Sequence, residues 1–143
     1  MRCRLARIGI YALLAFCGCA GGAVPAVQQV FACECLSPKS PSEELKRAAA
    51  VFSGEVGDIK TEERSFVVEI KVEKVWKGEI PKTIVVQTSK LASDCGYSFA
   101  LGRKYLIYVY GGEPFTVSHC SRTKPLESAS EDLKELGEGN QPK

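Results

Sequence analysis

The chain has 143 residues, a formal net charge of +2 and 45% hydrophobic residues, which places it among single small globular domains. Charged residues of both signs make up 25% of the sequence, so it predicts no basic face of the kind that binds nucleic acid. This composition excludes a disordered chain and gives no support to a nucleic-acid partner.

The first 32 residues have the features of an export signal. Arg2, Arg4 and Arg7 precede an uncharged run of apolar and small residues. A retained transmembrane helix is the alternative, but it needs about 20 apolar residues, and the glycines of this run and Pro25 interrupt it. We therefore treat 1–32 as a signal peptide and expect the mature protein outside the cytoplasm, either secreted or in the cell envelope.

Two positions in this region fit signal cleavage. Cleavage after Ala26 or after Ala32 places tolerated residues at the positions that signal peptidase reads, and the second leaves Cys33 as the first residue. Lipid attachment at Cys33 or Cys19 is a third alternative, and it would anchor the protein to a membrane. The start of the mature chain therefore stays open among these three.

Three of the seven cysteines lie in the signal peptide, which leaves Cys33, Cys35, Cys95 and Cys120 in the mature chain. An even number of cysteines in a small exported domain predicts disulfides, here two. Spacing does not choose among the three possible pairings, although Cys33 and Cys35 each need a distant partner. A zinc site is the competing interpretation, but Cys95 and Cys120 do not form the close pair that such sites use.

The first predicted element after the cysteines is a short helix from about Pro41 to Ala50. Ser40 and Glu43 form a capping box around Pro41. From Val51 the hydrophobic period changes to two, which is typical of strands with one buried face. The predicted strands are 51–59, 65–76, 83–88, 104–110 and 115–119.

A second helix is predicted over 126–137. Ser128 and Glu131 form its capping pair, Leu133 and Leu136 face the core, and Gly137 ends it. Five strands with one or two flanking helices predict a mainly β fold whose small antiparallel sheet must close or be covered to hide its edges. We expect a five-stranded, OB-like Greek-key barrel with two disulfides over 33–137, followed by a flexible tail, 138–143.

Five separated stretches carry a family resemblance. They are CEC at 33–35, VEKVWKGEIP at 72–81, SDCGY at 93–97, GRKYLIYVY at 102–110 and HCSRT at 119–123. In this order they resemble the N-terminal domain of the tissue inhibitors of metalloproteinases and, more widely, the netrin-like modules that share its OB-type barrel. The shortened form is similar to single-domain relatives from bacteria. The resemblance implies the pairings Cys33–Cys95 and Cys35–Cys120.

The resemblance also implies an inhibitory mechanism. Once Cys33 is the first residue, its α-amine and carbonyl oxygen would chelate the zinc of a target protease and displace the attacking water. Glu34 would enter the specificity pocket, which favours a target with a basic residue there, because an unpaired carboxylate is costly to bury. The implied inhibitory contacts are Cys33, Glu34, Cys35, Ser93, Asp94, Cys95 and Gly96.

The sequence offers no catalytic constellation. His119 is the only histidine, and the sequence has no phosphate loop, so we expect a protein that is not an enzyme and needs no cofactor. We expect Trp76, Tyr105, Tyr108 and Tyr110 to pack in the barrel.

The expected partner is a zinc metalloproteinase, bound by a monomer. Association with a membrane is expected only through a lipid anchor. The alternative is an extracellular OB-type protein-binding module without protease inhibition.

Overall fold

The structure is a computed structural model that describes residues 33, 35–36 and 39–143. The expected signal peptide, 1–32, and Glu34 lie outside the described residues. The elements, in chain order, are α1 (Pro41–Arg47), β1 (Ala50–Thr61), β2 (Ser65–Lys77), β3 (Thr83–Ser89), β4 (Lys104–Val109), β5 (Phe115–Thr116), β6 (Lys124–Pro125) and α2 (Ser130–Leu136). Short 3-10 turns occupy Ala92–Asp94 and Leu126–Ser128.

The six strands form one curled sheet in the order β5-β3-β2-β1-β4-β6. β1 pairs antiparallel with both β2 and β4, β2 pairs antiparallel with β3, and β4 with β6. Only the pairing of β5 with β3 is parallel among the named strands. Thr116 of β5 also bridges to Tyr110, just beyond β4, so β5 draws the two sides of the half-barrel together. The predicted mainly β, OB-like fold with two short helices is confirmed.

The strand boundaries agree with the sequence pattern for the four long strands, each of which ends within two residues of its predicted limits. The fifth differs, because β5 covers only Phe115–Thr116 of the predicted 115–119. After it the amide of Val117 still donates to the carbonyl of Gln87 in β3 at 2.9 Å, and the chain then turns, with the amide of Ser121 donating to the carbonyl of Ser118 at 3.1 Å. The sixth strand, β6, has only two residues and carries no alternation that could predict it.

The pairing of β1 with β2 contains irregularities in register, one of them between Ser53 and Gly54. Across it the partner residue changes from Lys74 to Val72, so the alternation is interrupted and both Val72 and Val75 face the core. A Cβ on Gly54 would lie 2.5 Å from the carbonyl oxygen of Lys71. Only glycine allows the two strands to approach this closely.

Two apolar clusters lie on opposite faces of the sheet. The inner cluster fills the curl with buried residues of the long strands, among them Phe52, Ile70, Val86, Tyr105 and Ile107. The outer cluster centres on Val51, Leu106 and Tyr108, and the two helices cover it. Strands β1 and β4 are therefore apolar on both faces, which positions them at the centre of the domain.

Helix α1 begins as predicted. The Ser40 hydroxyl accepts from the amide of Glu43, whose carboxylate accepts in return from the amide of Ser40. The helix ends at Arg47 rather than near Ala50, because Ala50 already pairs with β4. The ammonium of Lys77, on β2, donates to two carbonyls of the last turn and so fixes the helix end to the sheet.

Helix α2 starts later than predicted, and the capping pair of Ser128 and Glu131 is wrong. The 3-10 turn Leu126–Ser128 already bends the chain there, so the N-cap falls on Ala129, which has no side-chain cap. The end is confirmed: Gly137 has a φ of 71° and its amide donates to the carbonyl of Leu133. Leu133 and Leu136 pack against the outer cluster as expected.

The last residues lie along β2, although the sequence suggests a flexible tail at 138–143. Asn140 and Val75 exchange two backbone hydrogen bonds, of 2.7 and 2.9 Å, and the amide of Lys143 donates to the carbonyl of Ile80. β3 pairs with β2 only as far as Lys71, so the tail covers a part of the β2 edge that β3 leaves open.

We expect Gly54→Ala to destabilise the domain by about 3 kcal/mol, because the added methyl group meets backbone atoms that cannot move alone. Gly112→Ala is the matched control: nothing lies within 4 Å of its added Cβ, and its effect should stay within about 0.5 kcal/mol. Urea unfolding measures both free energies. Equal losses in the two variants would contradict the close approach at Gly54.

Candidate functional site

Two disulfides attach the N-terminal segment to the barrel. Cys33 is bonded to Cys95 with Cα atoms 5.5 Å apart, and Cys35 to Cys120 with Cα atoms 5.1 Å apart. Both pairings that the family resemblance implies are confirmed. All four sulfurs are in disulfides, so none is a thiolate that could ligate zinc.

The segment Ser93–Gly96, which the resemblance assigns to the inhibitory contact, follows β3. Its turn is closed by the amide of Asp94, which donates to the carbonyl of Leu91 at 3.0 Å. The Asp94 carboxylate accepts from the hydroxyls of Ser89, at 3.1 Å, and Ser93, at 3.2 Å. We call residues 91–96 the ridge, since Leu91, Ser93 and Asp94 are all exposed.

The base of the ridge is held by backbone contacts that depend on Cys95 and Gly96. Cys95 has a positive φ of 55°, and its carbonyl accepts from the amide of His119 at 2.7 Å. A Cβ on Gly96 would lie 1.9 Å from the carbonyl oxygen of Ser89, so the ridge can fold back onto the end of β3 only with glycine at this position. The structure thus brings Cys33, Ser93, Asp94, Cys95 and Gly96 together, whereas Glu34 lies outside the described residues.

An aromatic group supports the ridge from inside the barrel. The rings of Tyr97, Phe99 and Tyr105 lie 4.8 to 6.0 Å apart, and the amide of Tyr97 donates to the hydroxyl of Thr88 at 2.6 Å. Burial raises the pKa of Tyr97 to about 12, so the phenol stays neutral.

The aromatic residues that the sequence assigns to packing are buried or packed on the sheet. Tyr105 and Tyr108 are fully buried, and Trp76 and Tyr110 pack on the outer cluster. The expectation that these aromatic residues serve packing is confirmed.

A buried carboxylate that sequence reasoning did not single out organises the other end of the site. Asp132 has no exposed surface and accepts from Arg122 at 2.8 and 2.9 Å, from Lys124 at 2.6 Å and from the hydroxyl of Tyr108 at 3.0 Å. Arg122 also donates to the carbonyl of Lys39 at 2.6 Å. Asp132 therefore holds Arg122, two residues after Cys120, and through Arg122 it also fixes Lys39, four residues after Cys35.

The pKa values in this cluster follow from its contacts. Burial alone would raise the pKa of Asp132, but the hydrogen bonds from Arg122, Lys124 and Tyr108 outweigh it and hold that pKa below its ordinary value. The hydrogen bond to Asp132 raises the pKa of Arg122, and burial next to the same carboxylate raises that of Tyr108. Asp132 and Arg122 are therefore both charged at neutral pH, whereas the phenol of Tyr108 stays neutral.

The single histidine contributes its backbone. The side chain of His119 is exposed, and its amide makes the contact to Cys95. Among the described residues, no group of three or more His, Cys, Asp or Glu side chains could hold a metal ion. The expectation that the protein is not an enzyme stays a prediction.

No protein-family model matches the chain, and a search of curated proteins finds no match either. The disulfides themselves indicate an oxidising, extracytoplasmic environment. Within the described part of the chain, no helix has the length and apolar character needed to span a membrane.

We expect Asp132→Asn to lower the free energy of unfolding at pH 7 by about 3 to 5 kcal/mol, because it leaves Arg122 and Lys124 without their buried counter-charge. Since the folded pKa of Asp132 is lowered, its stabilisation is complete above the ordinary value of 3.8 and is lost as pH falls through the folded value.

Urea unfolding of both proteins from pH 7 downward tests this expectation. The difference between wild type and variant should narrow below the ordinary pKa of 3.8. Asp58→Asn, at an exposed carboxylate 4.0 Å from Lys60, is the control and should change stability by less than about 0.5 kcal/mol. A pH-independent difference at Asp132 would show that its charge is not the cause.

Proposed function

We propose that the exported protein inhibits a zinc endopeptidase through the α-amine and carbonyl oxygen of Cys33, as the resemblance to the tissue inhibitors of metalloproteinases implies. The observation that carries the proposal is the Cys33–Cys95 disulfide, which joins the first residue of the proposed mature chain to the ridge. A protease would thus meet the N-terminal residue and the ridge as one surface.

Pre-organisation supports this proposal. The N-terminal segment is attached at Cys33 and Cys35 by disulfides and at Lys39 by the hydrogen bond from Arg122. A segment that is already ordered loses little conformational entropy on binding, so more of its contact energy is available as affinity.

The chemistry at Cys33 is a chelate made by main-chain atoms. A free α-amine has a pKa of about 7.7 to 8.0, so a useful fraction is unprotonated at neutral pH and offers a lone pair. With the carbonyl oxygen of the same residue it closes a five-membered ring on the zinc of the protease and takes the place of the catalytic water. The sulfur of Cys33 takes no part, because it is bonded to Cys95.

Exposed apolar side chains next to both disulfides give further support. Leu36, directly after Cys35, is 89% exposed, and Leu91 of the ridge is 42% exposed. Single exposed leucines are ordinary on a protein surface, but these two adjoin the segments that the resemblance assigns to target contact. Ser93 and Asp94 add polar groups to the same surface.

The second candidate function is an extracellular protein-binding module without protease inhibition, with or without a lipid anchor. The exposed ridge favours it, because contacts made by Leu91, Ser93 and Asp94 need no free amine. The two candidates differ in what happens when the N-terminus is extended.

We expect protein that starts at Cys33 to inhibit a susceptible zinc endopeptidase, and protein that keeps Ala32 to be at least about 100-fold weaker, since an amide nitrogen offers no lone pair for the zinc. Inhibition constants against a panel of zinc endopeptidases measure the difference. Both forms should unfold at the same urea concentration, which controls for folding.

Intact mass and N-terminal fragmentation of the naturally exported protein complete this test. An unmodified Cys33 at the N-terminus, with four thiol hydrogens missing, is the expected result. A mature chain that starts at Val27, or an acylated cysteine, would exclude the chelate and leave the binding module.

The charge at Glu34 gives a separate expectation. A carboxylate in the specificity pocket needs a basic partner, so Glu34→Gln should weaken inhibition of an enzyme with a basic pocket by roughly tenfold or more. Toward enzymes with apolar pockets the same change should improve inhibition, because less charge is desolvated. Equal effects on both classes of enzyme would place Glu34 outside the pocket.

A further inference from the structure

A cleft of about 560 Å³ opens beside the Cys35–Cys120 disulfide. It lies between the N-terminal segment, helix α1 and the chain that follows Cys120. The lining side chains that matter here are Leu36, Lys39, Glu44, Arg47, Arg122 and Lys124. Of the residues assigned above to target contact, Cys35 and Leu36 border this cleft, whereas Cys33 and the ridge do not line it.

Positive charge is in excess in this cleft. Glu44 is already paired with Arg47 at 2.9 Å, and the buried Asp132 with Arg122 and Lys124. The four cations of the lining thus face one carboxylate of the lining, Glu44, and one buried behind it, Asp132, which leaves two positive charges that neither of these carboxylates neutralises. Glu131 lies 3.9 Å from Arg122, but it is 78% exposed and solvated, so it screens the cleft weakly.

Two of these cations are available to a ligand. Within the described residues, the ammonium of Lys39 has no hydrogen-bond or ion-pair partner. Arg47 is 56% exposed and uses only one guanidinium nitrogen, on Glu44. Arg122 and Lys124 are held in place by Asp132, so the positive inner wall of the cleft is ordered before any ligand arrives.

Among the described residues that line the cleft, Glu44 is the only acidic one, and it is already paired with Arg47. Residues 1–32 contain no Asp or Glu, so the segment that precedes the domain is unsuited to the cleft. Lys143, near the end of β2, is held by its amide at the carbonyl of Ile80 and by its ammonium at Glu79. An anionic group from another molecule is the natural counterpart of the cleft.

The surroundings favour a short acidic segment over a long polyanion. The exposed carboxylates of Glu43, near Lys39, and of Glu131, 3.9 Å from Arg122, would repel a highly charged chain that runs past the cleft. Leu36 adds an apolar edge, 89% exposed. A guanidinium fork binds carboxylates in a paired geometry, which suits aspartate and glutamate side chains.

We propose that this cleft binds a short acidic segment of a protein partner, in which two or more carboxylates stand beside an apolar side chain. Lys39 and Arg47 make the ion pairs that a ligand gains, and Arg122 and Lys124 supply a fixed positive background. The site does not require a free amine at Cys33, so it is separable from the proposed inhibition.

A capped Glu-Leu-Glu peptide is the probe, titrated at low ionic strength into the ¹⁵N-labelled exported protein and followed by NMR. We expect shifts confined to amides near 35–47 and 119–124. Lys39→Glu combined with Arg47→Glu should weaken binding by roughly tenfold or more, because two exposed ion pairs become repulsive. Raising the salt concentration should weaken binding as well.

Lys60→Glu combined with Lys82→Glu is the matched control. It changes the net charge by the same amount at exposed lysines outside the cleft and should leave the affinity within about twofold. Since Arg47→Glu places a second carboxylate near Glu44, the neutral pair Lys39→Gln and Arg47→Gln is measured too. Its amide spectrum reports whether the fold is kept, and it should bind more weakly than wild type.

Three outcomes would overturn the proposal. Equal weakening by the control pair would show non-specific attraction. Binding of heparin at the cleft without binding of the Glu-Leu-Glu peptide would assign the cleft to a sulfated polysaccharide, and binding of inorganic phosphate alone would make it a small-anion pocket. Repeating the titration with and without Ala32 separates this site from inhibition: the peptide affinity should not change between the two forms.

Discussion

The buried carboxylate of Asp132 is the contact on which the outer half of the domain depends. It lies on α2 and accepts from side chains on β4, on β6 and in the loop after Cys120. Desolvating one carboxylate is costly, and two cations and a phenol hydroxyl offset that cost only when all are in place. The directional contacts of this network therefore favour one arrangement of four chain segments, and Arg122 extends that arrangement to Lys39.

The inner half of the domain is organised differently, by close packing of backbone against backbone. At Gly54 two strands approach without an intervening side chain, and at Gly96 the ridge folds directly onto the carbonyl of Ser89. The N-terminal segment lies where these two halves meet, since Cys33 is attached to the ridge and Cys35 to the loop beside Arg122. Its position thus depends on close backbone packing at the Cys33–Cys95 disulfide and on buried charge beside the Cys35–Cys120 disulfide.

Much of the sheet could be predicted because period-two alternation is a local property. Residues 65–76 show on their own which face of β2 is buried. The disulfide pairing could not be derived from spacing and came from a resemblance between motifs. The need for glycine at position 54 could not be predicted either, because it arises from the backbone of the neighbouring strand and not from the residues beside Gly54 in the sequence.

The Asp132 network escaped prediction for a physical reason. In the sequence, Asp132 stands in the first turn of a short helix among other acidic residues, where a carboxylate is ordinarily solvated. Arg122 and Lys124 alternate as the exposed face of a strand would. Only the folding of α2 onto β4 places these charges together. At Ser128 the local sequence predicted a capping pair that does not form, because Ser128 is part of a 3-10 turn and the helix begins after it.

The connectivity of the disulfides determines how the protein responds to a cut in its backbone. Both bonds begin within three residues of each other, at Cys33 and Cys35, and end in the second half of the chain. A single cut anywhere between 36 and 94 leaves two fragments that are still joined by both bonds. A cut between 96 and 119 leaves one bond, Cys35–Cys120, across the break. The backbone can therefore be cut once in either region without releasing the fragment that carries Cys33.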